Sequence, residues 1–429
     1  MSISKSKNFN PNYLAKIVKL KGLKKHSNAD KLQTVIIDFQ TVITDLNAKD
    51  GDIYVYFPVE CQINFEFLSH TNSFREKDLN KDKEKTGFFE KQCRVRAVKL
   101  RGERSMGYIV PVDVVEKFTG KKISDQIGEE FDTIGDILML KKYEVPVKKG
   151  TQKSQGKKPR ISRLVEGQYR LHVDTEQLRK NVYNIKPEDD IMISYKYHGS
   201  SWIVGNVLVK KKLNIIEKIL KIIRFNIVDK EYDMVFGSRK VVKNQYETQN
   251  TNDFYDGDLW KDIKDEIKDK IPKGYIIYGE VCGYTKTGQE IQKCYDYGCS
   301  MGQKKIFVYR ITITNVDGYV IDLSSEQIRE FCEKYGLNYV HVFYRGKAKN
   351  LYPELDVENH WHEDFIKNLE RDYTEKDCFI CKNKTPEEGI VLRKEGLFSF
   401  EAFKLKSWAF LENETRMLDE GVEDIESSN

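Results

Sequence analysis

The sequence predicts an α+β protein in which a small β-rich domain precedes a larger mixed domain. Short alternating apolar runs separated by turn residues fill residues 1–140, a pattern typical of a small antiparallel barrel. Residues 141–164 are rich in Lys, Gly, Gln, Ser and Pro, and residues 165–429 mix strand-like and helix-like periodicities. A chain of 429 residues is long enough to bury the cores of two such domains.

Composition narrows the class of protein. Hydrophobic residues make up 39% of the chain and charged residues 32%, with a net charge of +5. The apolar fraction supports packed cores rather than general disorder, and so small a net charge does not by itself predict a nucleic-acid partner. No N-terminal apolar stretch is typical of a secretory signal, and no run approaches the roughly 20 apolar residues of a membrane span. We therefore expect a soluble intracellular protein, with the cytoplasm favoured and no membrane partner.

The first domain is expected to be an OB-like β-barrel, because several short strands in a small domain favour that closure. A charged segment, Phe74–Glu90, is expected to be a loop. Cys93–Leu100 and Gly107–Val112 are predicted to pair as strands, with Arg101–Met106 connecting them. Three earlier runs alternate in the same way and are predicted strands: Tyr13–Lys19, Thr34–Asp38 and Ile53–Phe57.

Residues 141–164 are predicted to be a flexible basic linker. They contain a single acidic residue, Glu144, among many lysines, a composition typical of solvated, extended segments. The segment could be only a hinge, or it could also contact phosphates, since clustered lysines attract a polyanion.

The larger domain begins with two predicted strands, Asp190–Tyr195 and Ser201–Val209, on either side of a tight turn at Gly199. Lys212–Phe225 has apolar residues at helical spacing and predicts an amphipathic helix. The acidic tail, Leu411–Asn429, is expected to end as a frayed helix or as coil.

Lys196 is the candidate nucleophile. It follows a predicted strand and stands three residues before Gly199 in the segment ISYKYHGSSWIV. An amine attacks only in its uncharged form, which neighbouring cations and desolvation favour. Taken alone, Lys-x-x-Gly is also typical of a surface lysine before a hairpin turn. Only the motifs that follow can show whether Lys196 is a nucleophile.

Five further segments carry polar residues at strand ends in a fixed order. They are VFGSRK with Arg239, YIIYGEVCG with Glu280, KIFVYRITI with Tyr309, EEGIVLRK with Glu388 and Gly389, and FKLKSWAF with Lys404 and Lys406 on one strand face.

This ordered set resembles the covalent nucleotidyltransferase superfamily of RNA ligases, DNA ligases and mRNA capping enzymes, over roughly residues 185–410. His198 and Ser201 stand where DNA ligases usually carry Asp and Arg, and several RNA ligases have Lys-x-His-Gly. The segment GQEIQKCYDYG, Gly288–Gly298, is similar to phage and editing-type RNA ligases. The resemblance implies an ATP-grasp-like nucleotidyltransferase α/β domain with antiparallel sheets.

The first domain carries a second resemblance. His26–Gln33 (HSNADKLQ) and Arg94–Pro111 (RVRAVKLRGERSMGYIVP) look like an OB module related to tRNA-binding domains. An OB domain placed before the catalytic domain resembles the Deinococcus- and Naegleria-type RNA ligases.

The resemblance implies an ATP-dependent RNA ligase that works through a covalent Lys196–AMP intermediate. Its substrate would be RNA with 5′-phosphate and 3′-OH ends, which we expect to be a nicked duplex, and we expect a monomer. Two alternatives stay open at this point. One is a GTP-using capping-type nucleotidyltransferase, and the other is a catalytically inactive RNA-binding protein.

The resemblance also implies roles for the charged residues. Lys404 and Lys406 would stabilise the phosphates of ATP and disfavour the protonated form of Lys196. Glu280 and Glu388 would hold Mg²⁺ or Mn²⁺ through hard oxygen ligands, although one of them could bind the ribose hydroxyls instead.

Four other residues are expected at the nucleotide. His198 and Gly199 would lie beside the phosphates, and Arg239 would hold ribose or the phosphate of the RNA end. Tyr309 would stack on adenine, with core packing left open as an alternative. The superfamily pattern has Asp after this aromatic residue, whereas this chain has Arg310.

RNA contacts are expected from the densest basic cluster of the first domain, because OB folds bind strands through basic grooves. The alternative is that these basic residues only keep the domain soluble. The cluster consists of Arg94, Arg96, Lys99, Arg101 and Arg104.

The eight cysteines are not expected to bind zinc. The pair Cys378 and Cys381 has the right spacing, but Cys294 and Cys299 make a poor second pair. We expect unrelated reduced thiols.

Overall fold

Chain contacts in the computed structural model define two compact units. The first unit comprises residues 1–145, 176–182 and 411–422, and the second comprises 146–175, 183–410 and 423–429. The structure describes residues 2–145, 163–223, 225, 227–239, 242–243, 255, 259–396 and 398–421.

This division differs from the predicted domain boundaries. Two short segments of the predicted second domain, 176–182 and 411–422, belong to the first unit by their contacts. Most of the predicted linker 141–164, namely residues 146–162, lies outside the described residues.

The first unit consists mainly of short strands. Its helices are α1 Phe65–His70, α2 Val112–Thr119 and α3 Leu178–Asn181. Its strands are β1 Ile3–Ser4, β2 Ala15–Lys19, β3 Lys24–Lys25, β4 Leu32–Ile37, β5 Gln40–Asp45, β6 Ile53–Phe57, β7 Cys61–Ile63, β8 Ala97–Leu100, β9 Glu103–Met106, β10 Tyr108–Pro111, β11 Glu130–Phe131, β12 Thr133–Ile134, β13 Ile137–Leu138, β14 Leu140–Lys142 and β15 Glu176–Gln177.

The strands of this unit pair antiparallel in several groups. The largest has the order β10-β6-β2-β11, and a second has the order β3-β4-β5. One core cluster joins the sheet to both flanking helices, and it includes Val55, Phe57, Phe67, Val115 and Phe131. The pairing of the described strands gives separate antiparallel groups rather than one continuous closed sheet.

One predicted strand pair in the first unit is wrong. β8 pairs with β9, within the segment predicted as a connection, through the register Lys99↔Arg104. β10 pairs instead with β6. The hairpin turn consists of Arg101 and Gly102, both at positive φ, a conformation that suits a two-residue hairpin turn. Arg101–Met106 therefore contributes a strand of its own.

The second unit mixes long strands with helices. Its strands are β16 Asp190–Tyr195, β17 Ser200–Lys210, β18 Lys230–Gly237, β19 Val242–Lys243, β20 Tyr275–Gly283, β21 Lys304–Thr314, β22 Val320–Asp322, β23 Asn338–Tyr339, β24 Val342–Lys347, β25 Gly389–Lys394 and β26 Ala402–Lys406. Its helices are α4 Ile215–Ile222, α5 Leu259–Ile267, α6 Ser325–Tyr335, α7 Ala348–Leu351, α8 Trp361–Tyr373 and the start of α9 Trp408–Asp419.

Two sheets form the frame of the second unit. One has the order β26-β25-β16-β24, and the other has the order β19-β18-β17-β20-β21-β22, with β23 joined to β21. The pairs are antiparallel except β21 with β23, so the predicted antiparallel sheets are confirmed. The short segment between β16 and β17, residues 196–199, carries the chain from one sheet to the other.

Several local predictions in the second unit are confirmed. The strand Asp190–Tyr195 has its predicted bounds, and a helix occupies Ile215–Ile222 inside the predicted Lys212–Phe225. The acidic tail is helical up to Asp419, while residues 422–429 lie outside the described residues.

Candidate active site

Lys196 follows directly after β16, an inner strand of its sheet. β16 pairs with β24 and with β25, and its residues from Ile191 to Tyr195 are buried. The backbone N–H of Lys196 donates to the carbonyl of Gly389 at 2.9 Å. Because the strand is anchored on both sides, the position of the Lys196 amine is set by the sheet rather than by a loose loop.

The side chain of Lys196 reaches a buried carboxylate. Its Nζ lies 2.9 Å from Oε1 of Glu388, whose side chain is only 1% exposed. Nζ of Lys406 lies 3.4 Å from the same oxygen, and Nδ1 of His198 lies 3.8 Å from Oε2. Two predicted cations and the predicted histidine therefore surround one predicted carboxylate, and the shared oxygen keeps the two amines within a few ångströms of each other.

His198 is held by aromatic neighbours. Its backbone N–H donates to the hydroxyl of Tyr297 at 2.6 Å. Its ring meets Tyr295 and Phe410 edge-on, with centroids 4.8 and 4.9 Å away. The hydroxyl of Tyr295 in turn donates to the carbonyl of Pro386 at 2.7 Å. The imidazole is therefore fixed in orientation beside Glu388.

Gly199 is required by a close approach of backbones. A Cβ at this position would lie 2.5 Å from the carbonyl oxygen of Val281 and 2.8 Å from Sγ of Cys282. Its own carbonyl accepts a buried hydrogen bond from the Gln292 amide at 2.8 Å. The glycine therefore allows the turn after Lys196 to lie directly against β20.

A pocket of about 690 Å³, including its open mouth, adjoins Lys196. The pocket brings together four of the predicted residues, because Lys196, Arg239, Glu280 and Tyr309 all line it. The remaining lining residues are His172, Thr175, Met192, Ser194, Tyr195, Tyr197, Ser201, Val340, Val391, Arg393 and Phe400.

Lys404 belongs to the same face of the sheet. It pairs in register with Val391, which pairs in register with Ser194. Val391 and Ser194 both line the pocket. Directly opposed residues in an antiparallel sheet point to the same side, so Lys404 and Lys406 project from the pocket-lining face, as the alternation of β26 predicts.

Tyr309 lies half-buried at the pocket wall. Its ring meets His172 edge-on at 5.1 Å, and its hydroxyl lies 3.4 Å from the Ser201 hydroxyl. Burial, followed by the nearby Glu280 carboxylate, raises the pKa of the Tyr309 hydroxyl, so the phenol stays neutral. The neighbouring Phe307 is committed elsewhere, because it stacks on Tyr197 with centroids 4.0 Å apart.

Arg310, which stands where the superfamily pattern has Asp, has a structural role in this protein. Its guanidinium donates twice to Asp322, at 2.5 and 3.0 Å, and both side chains are buried. It also lies over the rings of Tyr278 and Phe400, at 4.8 and 4.7 Å. The arginine is therefore part of the packing between β21 and β22.

Three pocket features escaped the sequence analysis. Asp174 accepts a hydrogen bond from Nε of Arg239 at 2.6 Å, and His172 and Phe400 line the pocket beside Tyr309. Asp174 and His172 precede the first predicted strand of the larger domain, and no periodicity or motif marked them. Such residues are found only once the fold brings distant segments together.

The predicted metal ligands occupy different surroundings. Glu280 lines the pocket, while Glu388 contacts Lys196 and Lys406. Within the described ranges, no group of three or more His, Cys, Asp or Glu side chains is arranged to hold a metal ion. Magnesium commonly takes only one or two protein carboxylates plus substrate phosphates, so Glu280 at the pocket wall offers a carboxylate of the kind that a metal–nucleotide complex needs.

The cysteines of the described chain are all free thiols. A hydrogen bond with Cys381 lowers the pKa of Cys378 to about 6, and the same contact raises that of Cys381. Cys378 packs in an aromatic cluster with Tyr195 and Tyr297. Cys294 is exposed.

The predicted RNA-contacting residues separate into two groups. Arg94 is only 3% exposed, and its guanidinium binds Glu60 and Asp419 within the first unit. Arg96 also approaches Asp419, at 3.4 Å. Both arginines are therefore engaged in a local ion-pair network. The other three, Lys99, Arg101 and Arg104, are exposed on the β8–β9 hairpin.

No helix among the described residues is both long and apolar enough to cross a membrane.

Comparison with known families gives two matches along the chain. A family model described as RNA ligase matches residues 189–408, and an OB-fold domain model matches residues 14–112. No curated protein matches.

Solved structures resemble the chain over nearly its whole length. A mutant Naegleria gruberi RNA ligase with ATP and manganese is 15% identical, with a TM-score of 0.58, covering 94% of this chain and 99% of that chain. Another mutant of that ligase, with AMP and manganese, is 15% identical with a TM-score of 0.58 and covers 93% of this chain and 98% of that one. The same ligase with pyrophosphate is 15% identical with a TM-score of 0.57 and covers 94% and 99%. At this identity, the likeness establishes the fold.

Proposed function

Because the chain belongs to the RNA ligase family, we propose that it joins RNA 5′-phosphate and 3′-OH ends through a covalent Lys196–AMP intermediate. The observation that carries the proposal is the Lys196–Glu388–Lys406 cluster, whose Lys196 lines a pocket together with Arg239 and Glu280. A buried carboxylate held between two amines is expensive to form. Its presence at the end of an anchored strand supports a chemical role.

The reaction balances in three transfers. Nζ of Lys196 attacks the α-phosphorus of ATP, forming a phosphoramidate and expelling pyrophosphate. The 5′-phosphate of an RNA strand then attacks that phosphorus, which moves AMP to the RNA and frees the lysine. Finally, a 3′-hydroxyl attacks the activated 5′-phosphate, forming the phosphodiester and expelling AMP. Each step concentrates negative charge on phosphate oxygens, which fixed cations stabilise.

The residues of the cluster supply positioning and charge. Glu388 accepts from Lys196 and so orients the amine at the pocket, and Lys404 and Lys406 place two positive charges on the same sheet face. Arg239, oriented by Asp174, offers a planar donor for ribose or phosphate. We propose that the ring of Tyr309 contacts the adenine base.

We propose Mg²⁺ or Mn²⁺ as the cofactor, with Glu280 and Glu388 as the carboxylates that would hold it. The Naegleria ligase structures with manganese and ATP or AMP support this assignment by analogy of fold. A divalent ion bound there would neutralise charge on the phosphates.

The RNA end is proposed to contact the first unit. The OB-fold match and the exposed Lys99, Arg101 and Arg104 support this assignment, because phosphates bind exposed cations. We propose a nicked duplex as substrate and a monomer as the active form. The free thiols are compatible with a reducing compartment such as the cytoplasm.

Incubation with ATP radiolabelled on the α-phosphate tests the proposal. We expect the wild type to acquire covalent label with Mg²⁺ or Mn²⁺, Lys196→Ala to acquire none, and a control variant of an exposed β18 lysine, Lys230→Ala, to label normally. A nicked RNA duplex added next should be sealed and should discharge the label. Labelling by GTP instead of ATP would indicate a capping-type enzyme, and a wild type that never labels would indicate a non-catalytic RNA-binding protein.

A further inference from the structure

Helix α4 presents an apolar face to solvent. Ile215, Ile216, Ile219 and Ile222 are 76%, 69%, 54% and 79% exposed. Three apolar residues that follow the helix, Ile223, Phe225 and Val228, are also exposed. Exposed apolar residues are ordinary when scattered singly, but a contiguous patch of them marks an interaction site.

The helix is well formed without a partner. Asn214 and Glu217 form a capping box at its N-terminus, which stabilises the first turn. Its isoleucines recur at the helical period and cover one side, while Glu217, Lys218 and Lys221 lie on the other. The exposed face is therefore a property of an ordered helix.

Positive charge surrounds this apolar face. Lys210, Lys211 and Lys212 precede the helix, and Lys218 and Lys221 lie on its polar side, where Lys221 pairs with Asp229 at 2.7 Å. Glu217 is the acidic residue of the helix and is paired with Lys211 at 2.6 Å. A basic segment with a continuous apolar face is typical of helices that lie in the interface of an anionic bilayer.

Two other occupants fit these features less well. An eight-residue helix is about 12 Å long, so two copies packed together would bury far less than the roughly 1,200 Å² of a stable interface. RNA would satisfy the lysines but would leave the isoleucines in water, because phosphates offer nothing to aliphatic side chains.

We propose that α4 docks the protein on an anionic lipid surface. Its isoleucines would enter the boundary between headgroups and acyl chains, and Lys210, Lys212 and Lys218 would face the lipid phosphates and carboxylates. This binding site is separate from the nucleotide pocket and does not depend on the ligase activity.

Sedimentation of the full chain with lipid vesicles tests the proposal. We expect the wild type to sediment with phosphatidylcholine vesicles that contain phosphatidylserine, and at least tenfold less with pure phosphatidylcholine. The variant Ile215→Ser/Ile219→Ser/Ile222→Ser should lose this binding, because serine keeps a helix propensity similar to isoleucine while removing the apolar face. Lys212→Ala/Lys218→Ala should weaken it by about fivefold for each lysine.

A matched control distinguishes specific binding through α4 from nonspecific adsorption of exposed apolar residues to vesicles. Val316→Ser/Tyr319→Ser/Val357→Ser removes three exposed apolar residues elsewhere in the second unit and should bind vesicles as the wild type does. Covalent labelling by ATP should be the same in all variants, since none alters the pocket. The proposal fails if the wild type binds equally well to vesicles with and without phosphatidylserine. It also fails if the two serine triple variants bind phosphatidylserine vesicles equally. It also fails if light scattering shows a dimer that the α4 variant abolishes, or if RNA binding is what that variant loses.

Discussion

Glu388 is the residue on which the other groups of the site converge. Its carboxylate contacts Lys196, Lys406 and His198, and a neutral amide would hold the two lysine side chains less firmly. We expect Glu388→Gln to lower the rate of covalent AMP formation by roughly 100-fold, measured as labelled protein against time. Glu387→Gln is the matched control, because it alters the adjacent carboxyl without touching Lys196. Equal losses in both variants would show that the effect is structural.

Glu387 itself should make stability depend on pH. Burial raises the pKa of its carboxyl from 4.5 to about 7, so the folded state holds this proton more tightly than the unfolded state. The free energy of unfolding should therefore fall as pH rises from about 4.5 to 7 and should stay low above that range. When the pH is raised from 5 to 8, the free energy of unfolding of the wild type should fall by about 2 kcal/mol more than that of Glu387→Gln. Chemical denaturation at both pH values measures this difference. Parallel pH profiles would contradict this.

Tyr309 allows the two roles left open by its sequence to be separated. If its ring contacts adenine, Tyr309→Ala should raise the Kd for ATP by about tenfold or more, since base stacking on an aromatic ring contributes about 1–3 kcal/mol. Tyr309→Phe keeps the ring and should bind ATP nearly as well as the wild type. If the ring serves only the core, Tyr309→Ala should lower the Tm and leave the Kd of the folded protein unchanged. Calorimetric titration and thermal melting of both variants distinguish the two outcomes.

The residues that meet at Glu388 could be predicted from the sequence because each belongs to a short motif at a strand end. Lys196, Glu388 and Lys406 each lie at or beside the end of a regular strand. At such positions a short sequence motif is enough to predict where the residue lies. Arg94 shows the limit of this approach. Its position in a run of arginines predicted RNA contact, but the carboxylate of Asp419, more than three hundred residues away in the chain, engages its guanidinium. No local pattern reveals such a partner.

At the scale of elements, periodicity identified strands better than it identified their partners. Alternation predicts β8, but β9 is only four residues long, which is too short to show a period. The dipeptide Arg101-Gly102 was the available signal, since X-Gly is typical of a two-residue hairpin turn. Alternation shows which face of a strand is buried, whereas turn length determines which strands pair.

The β21–β22 pair offers an element-scale test. Asp322 accepts two hydrogen bonds from the buried Arg310, so Asp322→Ala would leave a guanidinium in the core without its carboxylate. We expect a loss of about 3–5 kcal/mol in the free energy of unfolding, seen as an earlier transition in urea. The double variant Arg310→Met/Asp322→Leu should recover much of this loss, because it removes both charges. A double variant as unstable as Asp322→Ala would argue that shape matters more than charge here.

At the scale of the whole molecule, the chain folds as two units whose segments interleave along the sequence. Residues 411–422 complete the first unit, where Thr415 and Asp419 bind Glu60 and Arg94. A sequence scan expects a domain to be one continuous stretch, and composition changes at 141–164 supported that expectation. Contacts between residues far apart in the chain are what decide the membership of the final helix.

The pocket beside Lys196 lies within the second unit, and the exposed basic β8–β9 hairpin lies within the first. If they bind ATP and RNA as proposed, charge reversal on the hairpin should impair sealing without impairing AMP transfer to Lys196. Lys99→Glu/Arg104→Glu reverses two exposed charges that sit opposite each other on β8 and β9. We expect this variant to form covalent AMP at the wild-type rate, since no pocket residue changes. Sealing of a nicked RNA duplex should fall by at least tenfold at low salt, because each lost phosphate contact removes counterion release.

The dependence on salt gives the sharper measurement. Two fewer phosphate contacts should make the slope of log affinity against log salt concentration shallower by about 2. The control is Lys121→Glu/Lys122→Glu, which reverses two exposed charges just after α2 and should leave sealing less affected. If reversal at Lys99 and Arg104 slows covalent labelling as much as sealing, the hairpin acts through folding rather than through RNA. If sealing is unchanged at every salt concentration, the RNA path lies elsewhere on the first unit.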